Sequence, residues 1–185
     1  MEDPFMKALE RVLSGREGRA RLQRHILGSA AFVVQVSLNL PGYPKELPGS
    51  RTLVEAVGLR LAGRVRDGGG QVLSAWMLEN GAGPAFFLGV SAVRPKTVKE
   101  AAMSFEEKKS WGAVLDVDVL LPDGALSRSV LGLPPRRCFL CGRPAKECAR
   151  MGRHEKKELR RTAEKFLQRG LQETGKFPFE GSGLV

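Results

Sequence analysis

Apolar and polar residues alternate strictly over Leu115-Asp116-Val117-Asp118-Val119, and the run ends at the turn Pro122-Asp123-Gly124. A period of two predicts a half-buried strand with Leu115, Val117, Val119 and Leu121 on the core face and both aspartates on the other. Upstream, Ala31 to Leu38 is rich in Val and Phe between Gly28-Ser29 and Pro41-Gly42, which predicts a buried strand. Val54, Val57, Leu61 and Val65 recur at helical spacing, with Ser50 or Thr52 as the expected cap and Asp67-Gly68-Gly69-Gly70 as the stop. Gln71 to Glu79 and Pro84 to Val93 read as two strands, and Asn80-Gly81 between them is a strong hairpin signal. A helix over 96–108 then leads into the aspartate strand.

Strand, helix, strand, strand, helix, strand is the split βαβ order. It predicts an α+β fold of ferredoxin-like or nucleotidyltransferase-like type, with a mainly antiparallel sheet and helices against one face. Before this core, Asp3-Pro4 opens a short helix, and Ser14 with Glu17 resembles a capping box for a second helix running to about Gly28. After it, a cysteine-rich segment precedes a final helix over 155–172. The expected organisation is a single domain over 1–175, with N-terminal helices over 1–30, the sheet core over 31–131 and the Cys/His loop over 132–154. The glycine-bearing tail over 176–185 is expected to be mobile.

Composition narrows the class. Hydrophobic residues make up 42% of 185 residues without a long uncharged apolar run, so a soluble protein with no membrane helix is expected. The acidic start, Met1-Glu2-Asp3-Pro4, lacks the features of a signal peptide, and a cytoplasmic location is the expectation. A net charge of +10 calls for a polyanionic partner, whether nucleic acid, a phosphate-rich small molecule or an acidic protein. Aromatic residues at only 6% leave few platforms for stacking bases, which makes nucleic acid the weaker candidate.

Two clusters carry candidate chemistry. Asp116 and Asp118 lie one strand repeat apart, roughly 6.5–7 Å, and repel each other unless a cation lies between them. Oxygen ligands suit Mg²⁺ that keeps several waters and takes phosphate oxygens from a substrate. The same pattern also fits a sheet edge with one wet face. Cys138, Cys141, Cys148 and His154 have spacings that suit a closed Cys₃His site for a structural Zn²⁺, and equally suit three reduced thiols beside a surface histidine. Arg16 and Arg19, near the expected start of the second helix, would add to the anion affinity of a helix N-terminus, although a solvated face is the ordinary fate of such residues.

Taken as an ordered set, Leu115-Asp116-Val117-Asp118-Val119, Leu121-Pro122-Asp123-Gly124, Leu133-Pro134-Pro135-Arg136-Arg137-Cys138-Phe139-Leu140-Cys141 and Cys148-Ala149-Arg150 with His154 closely resemble the apo-citrate lyase phosphoribosyl-dephospho-CoA transferases. Gly15-Arg16-Glu17-Gly18-Arg19 with Gln23 resembles the first helix of that family. The resemblance implies a holo-acyl-carrier-protein synthase of nucleotidyltransferase type. Such an enzyme moves the prosthetic group from 2′-(5″-triphosphoribosyl)-3′-dephospho-CoA to a serine of the citrate lyase acyl carrier protein subunit and releases pyrophosphate.

The implied roles are Asp116 and Asp118 as catalytic ligands of Mg²⁺, and Arg16, Arg19, Arg136 and Arg137 as cations for the triphosphate. One departure stands out: the family run His-Pro-x-Gly-Arg before the strand is Lys109-Ser110-Trp111-Gly112-Ala113 here, so if that arginine binds phosphate the expectation is that another cation, such as Lys108 or Lys109, replaces it, that the substrate differs, or that activity is weak. The alternatives are the equivalent transferase for malonate decarboxylase, or a non-catalytic, zinc-stabilised basic module that binds RNA or an acidic protein.

Overall fold

The structure is a computed structural model that describes residues 3–107 and 111–175. The tail over 176–185, together with Lys108 and Lys109, lies outside the described residues. Eight main elements follow the chain: α1 (Pro4–Leu27), β1 (Phe32–Leu38), α2 (Ser50–Asp67), β2 (Gln71–Leu78), β3 (Ala85–Ser91), α3 (Pro95–Glu106), β4 (Leu115–Leu121), which follows a 3₁₀ turn at Trp111–Val114, and, near the C-terminus, α5 (Lys156–Gly175). Two short elements that sequence signals did not predict, β5 (Gly124–Ala125) and α4 (Ala145–Arg150), lie between β4 and α5.

All pairings are antiparallel and the sheet order is β2-β3-β1-β4-β5. This is the ferredoxin-like arrangement that the split βαβ order predicts, with β5 added beyond the Pro122-Asp123 turn. One face packs against α2 and α3, and α5 lies against α2 and the 3₁₀ turn. There Phe32, Val34 and Val36 of β1, Leu88 and Val90 of β3, and Leu115, Val117 and Val119 of β4 meet Leu53, Val57, Leu61, Ala102, Phe105 and Leu167. Burying each such large apolar side chain contributes about 1.5–3 kcal/mol, which fixes the register of β4 and turns Asp116 and Asp118 to the opposite face.

That opposite face is only partly covered. Ile26 of α1, with Leu22 and Leu27 beside it, packs on Val33, Ala85 and Phe87. The chain forms one 24-residue helix where sequence signals place two. Ser14-Gly15 falls in mid-helix because Gly15 answers a tertiary demand instead of breaking the helix. A Cβ there would lie 2.5 Å from the Ala82 nitrogen, so only glycine lets the β2–β3 turn approach. Asn80 closes this contact: its Oδ1 accepts from Ala82 N–H and its Nδ2 donates to the Gly15 carbonyl at 3.0 Å. At the start of α2, Ser50 is the first helical residue after Gly49, and its Oγ accepts from Leu47 N–H.

Candidate active site

Because β4 pairs with β1, Asp118 stands opposite Gln35 and Asp116 opposite Ser37 on the face that α1 covers. Toward the N-terminal half of α1 the apolar packing gives way to polar side chains, and a cleft of about 300 Å³ opens. Arg16, Arg19 and Gln23 of α1 line one wall, Gln35 and Ser37 of β1 form the floor, and Lys45 and Asp116 close the sides. Gln23 Nε2 donates to Gln35 Oε1 at 2.8 Å, tying helix to sheet at the inner end.

Burial and mutual repulsion dominate the electrostatics of the aspartate pair, with nearby cations opposing them. Asp118 is pushed up from 3.8 to about 6, first by burial and next by the charge of Asp116, while Lys99 and Arg136 act in the opposite direction. Arg19 faces the pair across the cleft, and burial lowers its pKa while Asp116 and Asp118 hold it up. Its Nη2 donates to the carbonyls of Ala82 at 2.8 Å and Gly83 at 3.0 Å, and its Nε is buried without a hydrogen-bond partner. Arg19 therefore braces the hairpin turn as well as facing the aspartates. Lys45 donates from Nζ to the Leu40 carbonyl at 2.8 Å, and burial lowers its pKa, with Arg16 and Arg160 adding to the effect.

The outer edge of β4 is open beside the aspartates, and α3 covers it with charge. Glu106 Oε1 accepts from Val117 N–H at 2.9 Å, and Lys99 Nζ donates to the Val117 carbonyl at 2.6 Å. Val117 lies between the two aspartates, so both exposed groups of its peptide backbone are satisfied by side chains. The Glu106 side chain is only 3% exposed; it pairs with Arg128 at 3.0 Å and with Arg136. Arg136 in turn lies 3.5 Å from Asp116 Oδ1.

Of the four arginines singled out in the sequence, Arg16, Arg19 and Arg136 meet around the aspartates. Arg137 is exposed, and its backbone bridges to Pro144 within the cysteine segment. Successive side chains of extended backbone point to opposite sides, which turns Arg137 away from the edge that Arg136 meets.

Sequence reasoning missed Lys45, Lys99, Glu106 and the β1 residues Gln35 and Ser37. A signal for two of them was present: Lys99 and Glu106 are seven residues apart, on the α3 face that also carries Ala102 and Met103. Charges on a buried helix face need partners, and here the partner is a strand edge.

The cysteine segment closes on itself. One ligand atom each from Cys138, Cys141, Cys148 and His154 lies within 4.8 Å of the other three, a cluster that could hold a metal ion. Cys138 Sγ and His154 Nε2 are 3.4 Å apart, as are the sulfurs of Cys141 and Cys148. A tetrahedral zinc with bonds of about 2.3 Å needs sulfurs about 3.8 Å apart, so the donors fit with modest shifts. A hydrogen bond to the Arg143 backbone lowers Cys141 to about 6, while burial and the bond to Cys141 raise Cys148 to about 11, so one thiolate is favoured and its neighbour keeps its proton. The segment adjoins the aspartates through Arg136, two residues before Cys138.

The sequence profile described as apo-citrate lyase phosphoribosyl-dephospho-CoA transferase matches residues 7–170. The chain is 35% identical over 151 residues to Protein CitXG of Leuconostoc mesenteroides subsp. cremoris, covering 79% of this chain and 32% of that longer protein. It is 32% identical over 158 residues to a probable apo-citrate lyase phosphoribosyl-dephospho-CoA transferase of Vibrio cholerae, covering 82% of this chain and 86% of that one. A protein of the same name from Streptococcus pyogenes is 29% identical over 169 residues, with 86% of this chain and 84% of that protein covered. With the ordered motifs seated on one cleft and its neighbouring cysteine cluster, and with a match across most of its length, the chain belongs to the apo-citrate lyase phosphoribosyl-dephospho-CoA transferase family.

Proposed function

We propose that the chain transfers the prosthetic group of 2′-(5″-triphosphoribosyl)-3′-dephospho-CoA to a serine of the citrate lyase acyl carrier protein subunit. The serine oxygen forms a bond to the α-phosphorus, the bond from that phosphorus to the bridging oxygen of the β-phosphate breaks, and pyrophosphate and the serine proton are released. The observation that carries this reading is Asp116 lining a polar cleft with cations on its walls, with Asp118 one strand repeat away on the same face. Their donor set fits Mg²⁺: two carboxylates on one strand face, one of them pushed up in pKa by burial and by the other. When bound, such an ion supplies charge neutralisation for the phosphate and the departing pyrophosphate.

The chain's own residues support the remaining tasks. Arg16 and Lys45, which line the cleft, would bind the triphosphate, and Arg19 would add positive potential while bonded to the hairpin carbonyls. Arg136 orients Asp116 and receives its own orientation from Glu106. These cations supply what the absent family arginine at Ala113 does not. Arg137, on the far side of its segment, would act on a part of the substrate outside the cleft. Cys138, Cys141, Cys148 and His154 would hold a structural Zn²⁺ that keeps Arg136 in place. Among the described residues no helix is long and apolar enough to cross a membrane, and a cytoplasmic site of action is part of the proposal.

The test is mass spectrometry of purified apo carrier subunit after incubation with the substrate and Mg²⁺. Wild-type protein should add the mass of the phosphoribosyl-dephospho-CoA group. Asp116→Asn and Asp118→Asn should add none while remaining folded, and normal loading by both would remove the basis of the reading.

A further inference from the structure

A second groove, about 770 Å³, adjoins the cleft and shares Val12, Arg16 and Lys45 with it. One wall is the N-terminal half of α1, which extends past the sheet packing that buries its other end. Phe5, Leu9 and Leu13 lie on this wall at 68%, 39% and 47% exposure, and Tyr43, at 44%, faces them from the loop after β1. Residues 5, 9 and 13 are each four apart, so they form one apolar stripe along about 12 Å of helix. Among the described residues, the hydrophobic core clusters do not include this stripe.

The opposite wall is the first turns of α5. Arg160 of that helix donates to the carbonyls of Pro41 and Pro44 and, from Nη2, to Glu46, which holds the loop carrying Tyr43 against α5. Lys156, Lys157 and Arg161 stay exposed along the rim. An apolar centre ringed by cations is the anatomy of a protein interface, and the two-turn stripe matches the spacing by which an amphipathic helix seats in a groove.

We propose that this groove seats the protein acceptor of the transfer, through a helical surface with an apolar centre and acidic flanks. This rests on the transferase reading and adds where the acceptor binds. Continuity with the cleft through Arg16 and Lys45 lets an acceptor docked here present its serine to the side of the cleft where those cations face the triphosphate. The rim cations draw an acidic partner in by charge, so binding weakens as salt rises.

The experiment measures steady-state loading of purified apo carrier subunit, varying carrier and triphosphoribosyl-dephospho-CoA separately, for wild type, Leu9→Glu and Lys157→Glu. Each substitution should raise KM for the carrier tenfold or more and leave KM for the nucleotide within twofold. An unchanged carrier KM in both variants overturns the proposal. A rise confined to the nucleotide KM also overturns it, because the groove would then hold an arm of the small substrate. Lys157→Glu changes only an exposed rim residue, so it decides the matter should Leu9→Glu disturb α1. Fluorescence anisotropy of labelled carrier against the same three proteins separates this from the reaction itself. If wild type binds carrier and the variants do not, the groove stands even where no loading occurs and the transferase reading fails. Equal binding by all three ends it.

Discussion

Replacing Asp118 by Asn should make the magnesium-free protein more stable at neutral pH while removing its transfer activity. Asp118 is pushed from 3.8 in the unfolded chain to about 6 in the fold, with burial the largest cause and Asp116 the second. The folded state therefore binds this proton more tightly than the unfolded state. Linkage then lowers stability as pH rises from about 4 to about 6, and above that range the whole cost of the buried charge is present. A difference of about two pKa units at about 1.4 kcal/mol each gives a cost on the order of 3 kcal/mol. Asparagine keeps the shape and carries no charge, so it recovers up to this amount at pH 7.5 and almost nothing at pH 4. Urea unfolding of wild type and Asp118→Asn at both pH values, in buffer free of divalent ions, measures the difference. A variant no more stable than wild type at pH 7.5, or a gain of equal size at pH 4, would refute the argument from burial and repulsion. Added Mg²⁺ should then stabilise wild type and leave the variant unmoved.

Glu106→Ala should cost about 3–5 kcal/mol in urea unfolding, because it leaves Arg128, Arg136 and the Val117 N–H without a shared acceptor in a buried place. Gly15→Val should cost about 1–3 kcal/mol by the same assay, since its Cβ would meet Ala82 N and Asn80 Oδ1 inside normal contact, and a tolerated valine would show that the helix and hairpin do not need this close approach. Elemental analysis of protein purified without added metal should find one zinc per chain, lost in Cys138→Ser; removing it should speed amide exchange over residues 136–154 more than in the sheet.

The sheet was legible because its strands carry their burial in their sequence. Val33 to Val36 and Leu115 to Val119 read as strands from composition and alternation alone, and the face of Asp116 and Asp118 followed from the period of two. The helix break at Ser14 was misread because local capping signals cannot report that Gly15 serves a turn 65 residues away. The cysteine cluster was legible from spacing, whereas the length of α4 between Cys141 and His154 was not, since six residues of helix carry too little periodicity. Arg137 looked equivalent to Arg136 in sequence, and only the extended backbone that bridges to Pro144 separates their directions.

Two charged residues that flank the aspartate strand were hard to interpret from sequence for a physical reason. Lys99 and Glu106 occupy positions where periodicity asks for apolar residues, and a helix read alone makes them errors of pattern. They become sensible only once β4 lies at a sheet margin, with its Val117 N–H and carbonyl bonded by side chains of α3 and not by a neighbouring strand. An open edge beside two like charges is the place where a strand most readily slips, and a slip of one residue would carry both aspartates into the core. Side-chain partners for both groups of the intervening peptide oppose that slip. They also leave Glu106 enough acceptor capacity to hold Arg136 against Asp116, so the charge that guards the register also orders the cation nearest the pair.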